Sequence, residues 1–323
     1  MKLSKSVKRR MTAVLATGAL MVSMVGCGAT TEQSSLDELT ITHVTSPLNV
    51  PSIIQKNKNM FEEAFKAKGK DVAINYAEIT SGADQTQALA SGDVDVLYAV
   101  GGTSVISAAA NGADIKILNM YSRSPEAFCM YSHDENIKSA QDLKGKTIAG
   151  PVGTNLHQLL VAYLEKAGMT IDDVNFVNMK IPEARAALET KDIDVALLAG
   201  PTAYKAGQQG YNLVTNGKGL TDAVIAVAVT EKFYNEHKED LEIFKQAEAN
   251  IIKYMNENHD EAMEIVAKEL DLDKSAVEEM YKQYDFSIET TDADVQAFQN
   301  VADFMLKTGM IENEVNAKDL FIK

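Results

Sequence analysis

From residue 39 onward, short runs of apolar and β-branched residues alternate with stretches whose apolar positions recur every three or four residues. That alternation predicts an α/β fold with parallel sheets flanked by helices. Strands are expected at residues 39–44, 72–79, 93–100 and 115–120, then at 127–132, 147–149, 174–179, 194–198, near Leu213 and at 224–229. Between them, Ile53, Ile54, Phe61, Ala64 and Phe65 keep one helical period up to Gly69. Further helices are expected after residues 81–84 and 101–104, along the face Leu156, Leu159, Leu160, Tyr163 and Leu164, from Pro182 and from Thr202. Beyond Glu231 the pattern is helical throughout, with core-facing sets Leu241, Phe244, Ile251, Ile252 and Met255, then Val295, Phe298, Ala302 and Met305.

The order of elements is used twice. Ala88-Leu89, Asp93-Val94-Asp95-Val96 and Gly101 reappear 99 residues later as Ala187-Leu188, Asp192-Ile193-Asp194-Val195 and Gly200. Two helix–turn–strand units can look alike by chance. A shared helix end, strand and following glycine favour two related lobes.

Composition adds a compartment. Residues 1–26 carry Lys2, Lys5, Lys8, Arg9 and Arg10 with no acid, then an apolar stretch over 11–25, which describes an export signal. That stretch is short for a membrane span. Met24-Val25-Gly26-Cys27 resembles a bacterial lipobox, with Met24 in place of the usual Leu, so Cys27 is expected to be acylated. An ordinary signal peptide ending near a cysteine is the alternative. Residues 28–35 are small and polar, as suits a tether. The remaining cysteine, Cys129, lies in an apolar run and is expected to be buried and unpaired. The net charge of −15 argues against nucleic acid as a partner.

In open α/β sheets a ligand sits beyond the carboxyl ends of the strands. Five such loops here are rich in small or hydroxyl residues: 45–49, 81–84, 101–104, 153–155 and 200–202. Small residues let backbone N–H groups approach a ligand, and helix N-termini favour anionic or electron-rich groups. Helix capping explains any one loop alone; five at equivalent strand ends point to a site. Arg123, beside the expected crossover between lobes, is a candidate bidentate donor to a carboxylate or sulfonate, or else a solvated hinge residue. His157 stands in the first turn of its helix. Tyr98, Tyr121 and Tyr204 are the candidate aromatic contacts, with a place in the core as the alternative for each. No P-loop and no Gly-x-Gly-x-x-Gly after a strand is present, so no nucleotide cofactor is expected. His43, His133, His157, His237 and His259 lack metal-ligand spacing, and Asp271-Leu272-Asp273 lacks the Gly and Glu of a calcium loop, so no metal is expected.

Residues 47–51, 61–63, 87–95 (Gln87-Ala88-Leu89-Ala90-Ser91-Gly92-Asp93-Val94-Asp95) and 142–149 (Asp142-Leu143-Lys144-Gly145-Lys146-Thr147-Ile148-Ala149) resemble the substrate-binding proteins of bacterial ABC importers. The branch is that of aliphatic sulfonate, taurine and nitrate binding, with relatives among thiamine-pyrimidine binding and synthesis proteins. The likeness spans roughly residues 36–230, and its Asp-Leu-Lys-Gly-Lys run supports the superfamily more than a substrate. It implies the type II periplasmic-binding fold, with crossovers near 122–127 and 220–224 and a C-terminal helical part on the first lobe. Lobe 1 is then 36–122 plus 226–323, and lobe 2 is 123–225.

The resemblance also implies a monomeric lipoprotein on the outer face of the bacterial cell membrane. It would close by a hinge on a small anion and deliver it to permease and ATPase subunits. Ligand contacts carried over fall at Ser46, Pro47, Leu48 and Asn49, at Gly101, Gly102, Thr103 and Ser104, at Gly153, Thr154 and Asn155, and at Gly200, Pro201 and Thr202. Ser81, Tyr121, Arg123 and His157 join them from the reading of the loops. A neutral heterocycle, such as a pyrimidine or flavin precursor, is the alternative ligand. A pyrimidine-synthase-like enzyme using His43, or a ligand-sensing surface protein, is the alternative class. Against the enzyme stand the export leader and the lack of the synthases' Cys-rich run.

Overall fold

A computed structural model describes residues 36–322; the expected leader, Cys27 and the tether lie outside the described residues. The first half runs β1 (Glu38–Thr42), α1 (Val50–Lys58), α2 (Met60–Ala67), β2 (Ala73–Ala77), α3 (Gly82–Ser91), β3 (Leu97–Gly101), α4 (Gly102–Ala110) and β4 (Lys116–Arg123). The second runs β5 (Phe128–Ser132), β6 (Thr147–Gly150), α5 (Asn155–Lys166), β7 (Asn175–Asn178), α6 (Ile181–Thr190), β8 (Val195–Ala199), α7 (Gly200–Gln208) and β9 (Asn212–Asn216). The chain then returns through β10 (Val224–Val229) to α8 (Glu231–Glu236), α9 (Lys238–Glu257), α10 (His259–Leu270), α11 (Lys274–Tyr281) and α12 (Asp292–Lys307).

The strands form a two-stranded, a three-stranded and a five-stranded sheet, and the first two join edge to edge into the design of the third. β1 pairs in parallel with β2 and is bridged from Ile41 to Val96, the residue before β3, and β10 lies between β3 and β4. The first lobe therefore reads β2-β1-β3-β10-β4 and the second β7-β6-β8-β5-β9. The 99-residue repeat maps onto this plan: α3 and α6 occupy equivalent spans. In each lobe one aspartate clasps the neighbouring strand, with Thr40 N donating to Asp95 Oδ2 and Thr147 N to Asp194 Oδ2, both at 2.8 Å.

Two expectations are corrected. The sheets are mixed, because β10 runs antiparallel to β3 and β4, and β5 antiparallel to β8 and β9. β5 and β10 are entered from the other lobe and not through a helix folded back on the same sheet, so no βαβ crossover forces them parallel. The single helix expected up to Gly69 is two helices. Asn59 breaks it with φ 52° and ψ 40°, a left-handed conformation that Asn tolerates better than most residues. Ile53, Ile54, Phe61 and Phe65 remain buried on either side of the break. In the C-terminal helices Ile252 and Val295 are only half-buried, while Phe244 stacks on Phe61 at 4.3 Å and Phe298 packs against Phe321. Those helices cover the first sheet. Among the described residues no helix is long and apolar enough to cross a membrane.

Candidate ligand-binding site

The loops at the carboxyl ends of the strands converge from both lobes. Thr103, in the first turn of α4, donates a long hydrogen bond of 3.5 Å to Asn155 Oδ1 at the start of α5, and a Cβ placed on Gly101 would lie 4.0 Å from the same oxygen. Both side chains are buried there. On the other flank, Gly200 at the start of α7 presses on the loop before α1, where a Cβ would fall 2.0 Å from the carbonyl oxygen of Pro47. Gly200 also holds φ at 56°, so glycine is required both for approach and for conformation. Ser104 closes on α3, with its Oγ 2.1 Å from where a Cβ on Gly82 would stand.

The capping explanation now divides. Ser81 accepts a hydrogen bond from Asp84 N and so caps α3. Gly101, Thr154 and Ala199 give α4, α5 and α7 no side-chain cap, and the Thr154 hydroxyl donates instead to Pro151 O at 2.9 Å. The first-turn N–H groups of α4 and α5 are thus left for something other than their own caps. Thr202 donates to Ala199 O at 2.7 Å, and the α7 start meets the Pro47 carbonyl of the opposite lobe.

Several expected contacts have other employment. Arg123 is no free anion donor: Nε and one terminal nitrogen hold both oxygens of Asp294 at 2.6 and 2.7 Å, and the guanidinium also donates to Ser287 O and Glu289 O. Burial alone would raise the Asp294 carboxyl, but hydrogen bonds from Arg123 and Thr291 outweigh it and hold the group below the usual range. Tyr121 belongs to the core: it is buried, crosses Tyr98 edge-on at 4.9 Å, and shares its hydroxyl with Ser52 at 2.8 Å. His157 Nδ1 accepts from Gly153 N at 3.3 Å and its ring stacks on Phe176 at 4.8 Å, so it braces its loop as a neutral imidazole, burial lowering its pKa. Leu48 is fully buried in the core. Asn49 spends its amide on Val44 O and Ser46 O. A Cβ on Gly102 would meet Val224 and Phe298, so that glycine serves helix packing.

Tyr98 likewise lies in the core, and Tyr204 is half-buried against the first lobe's core from α7. His43 lies edge-on to Tyr76, with Lys56 and Glu78 in its surroundings, and burial first and Lys56 second lower its pKa. Cys129 is buried and free, its thiol pushed up to about 12 by burial. No group of three or more His, Cys, Asp or Glu able to hold a metal occurs among the described residues. Missed by the reading of the loops was the segment 282–291, which delivers Asp285 and Ser287 to Arg123 from far along the chain. No local motif in it announces that placement.

A family model described as NMT1/THI5 like matches residues 53–262. A protein of Bacillus subtilis (strain 168), provisionally named an aliphatic sulfonates-binding protein, is 28% identical over 310 residues, covering 94% of this chain and 92% of its own. The taurine-binding periplasmic protein of Escherichia coli (strain K12) is 29% identical over 193 residues, which is 59% of this chain and 55% of its own. Among solved structures, the alkanesulfonate-binding protein SsuA from Xanthomonas axonopodis pv. citri bound to MOPS superposes with a TM-score of 0.80 at 20% identity. That match covers 90% of this chain and 99% of the other. The architecture is accordingly the periplasmic binding protein fold expected above.

Proposed function

The chain belongs to the NMT1/THI5-like family, and from that premise we propose that it is the extracytoplasmic binding component of an ABC importer, closing two lobes on a small sulfonate-type anion. The observation that supports this most directly is the meeting of two uncapped helix starts, Gly101 with Thr103 on one lobe and Asn155 on the other. Their N–H groups and hydroxyls suit a group that presents several oxygens and one negative charge. With Arg123 committed to Asp294, the anion is held by dipoles and hydrogen bonds and not by a counter-charge.

Residues 36–122 with 226–323 form one jaw in this reading and 123–225 the other, and Cys27 carries the lipid that keeps the protein at the membrane. Permease and ATPase subunits take up the bound solute. The protein binds and releases without changing its ligand.

A thermal-shift panel of taurine, ethanesulfonate, nitrate and a neutral pyrimidine tests the reading, since a ligand stabilises only the native state that binds it. A strong shift with one of the anions is expected, and mass spectrometry should recover that ligand unaltered. A shift confined to the neutral pyrimidine replaces the anion reading, and an altered product replaces the receptor with an enzyme.

A further inference from the structure

Three segments meet between the lobes: the crossover after β4, the crossover before β10, and the segment 282–291 joining α11 to α12, which pairs with the first crossover through Asp285 and Arg123. Each carries one buried hydroxyl that has no hydrogen-bond partner among the described residues, namely Ser124, Thr221 and Tyr284. Ser124 is 0% exposed and Thr221 8%. A buried hydroxyl without a partner destabilises a fold, and an Ala or Phe at the same place avoids that cost. Arg123, one residue from Ser124, shows the opposite economy, with its donors engaged.

The backbone brings the three segments to one place. Arg123 N donates to Asp285 O at 2.8 Å and Asp285 N returns a bond to Arg123 O at 2.9 Å, which fixes Tyr284 beside the first crossover. A Cβ on Gly217 would meet Pro125 O at 2.5 Å and Thr221 Oγ1 at 2.9 Å, which sets Thr221 next to the residue that follows Ser124. Tyr284 packs against core residues of both lobes and stacks on Phe286 with ring centres 5.4 Å apart. Phe286 lies edge-on to Tyr121 of the first lobe, with ring centres 6.3 Å apart. Tyr121 is in turn bonded to Ser52, in the first turn of the helix that follows the Pro47 loop.

We propose that Tyr284, Ser124 and Thr221 form the hinge-side floor of the ligand site, donating hydrogen bonds to the oxygens of the bound anion. The inference rests on the binding reading above and adds the residues that select among its ligands. A donor that is otherwise unpaired discriminates strongly against a ligand offering it no acceptor. The C-terminal segment thereby contributes to specificity as well as to the covering of the first lobe.

The test is calorimetric titration of the full chain with taurine, ethanesulfonate and nitrate, alongside Tyr284→Phe and Ser124→Ala. Each substitution is expected to weaken the anion that binds by on the order of ten- to a hundredfold, the range for hydrogen bonds to charged groups. Without ligand the melting temperature should stay level or rise, because the hydroxyl removed had no protein partner. Wild-type affinity in both variants overturns the inference and leaves the proposed function standing. So does a clear fall in the unliganded melting temperature of Tyr284→Phe, which shows the phenol already satisfied inside the fold. A wild-type chain that binds none of the three anions overturns the proposed anion binding and this inference together.

Discussion

The two lobes share one strand order and one aspartate clasp, yet their interiors differ in kind. The first packs a run of aromatic rings, Phe61, Phe244, Tyr98 and Tyr121, and buries Glu248, which has Asn119 as its hydrogen-bond partner at 3.2 Å. The second is built mainly of aliphatic side chains such as Ile148, Leu159, Leu160, Val195 and Leu197. Backbone grammar is thus common to both, while the C-terminal helices decide what fills the first: α9 alone supplies Phe244 and Glu248. A repeated topology does not carry a repeated core.

Phe244→Ala should break this contrast most severely. It removes a ring that stacks on Phe61 and meets Tyr98 edge-on, at a cost of about 3–5 kcal/mol in a urea melt. Leu160→Ala in the aliphatic lobe should cost less, toward about 2–3 kcal/mol. Equal losses would mean that the aromatic run adds nothing to burial.

Glu248 sharpens the same contrast through pH. Burial pushes its carboxyl up to about 8, so between about pH 4.5 and 8 the folded protein holds a proton that the unfolded chain has released. Stability at this site is therefore greatest below that window and falls as pH rises through it, by up to about 1.4 kcal/mol per pH unit. Urea melts at pH 5.5, 6.5 and 7.5 should show that fall in the wild type and a flatter profile in Glu248→Gln.

Two smaller effects concern how the lobes meet. Gly200→Ala would drive a methyl into the Pro47 carbonyl and force an unfavourable φ. It should weaken ligand binding by about tenfold or more, about 1.4 kcal/mol, with both lobes still folded by circular dichroism. Lys307→Ala removes an exposed pair with Glu165, from α12 to α5 at 3.1 Å, and should change stability by less than about 0.5 kcal/mol.

The alternation of elements and the doubled unit were legible from periodicity because each is written locally. Residues 82–91 and 181–190 form matching helices at the offset that the repeated Asp-x-Asp-Val indicated. The break at Asn59 was less legible, since the apolar period continues across it and only the polar 55–59 stretch hints at a stop. Strand direction is not legible where the chain changes lobe, because no local pattern records it. For the site, the glycine-rich helix starts were readable. The fate of Arg123 was not, because its partner Asp294 stands 171 residues away. Tyr121 was lost to the core for the same reason, through Ser52.

The most direct measurement is calorimetric titration of ethanesulfonate or taurine into the wild type, Thr103→Ala and Asn155→Ala, with a urea melt of each. Opposed helix starts that grip an anion require both substitutions to cost about tenfold or more in affinity while the unliganded stability changes little. Undiminished affinity in both variants, beside a wild type that binds, would contradict a site between Gly101 and Asn155.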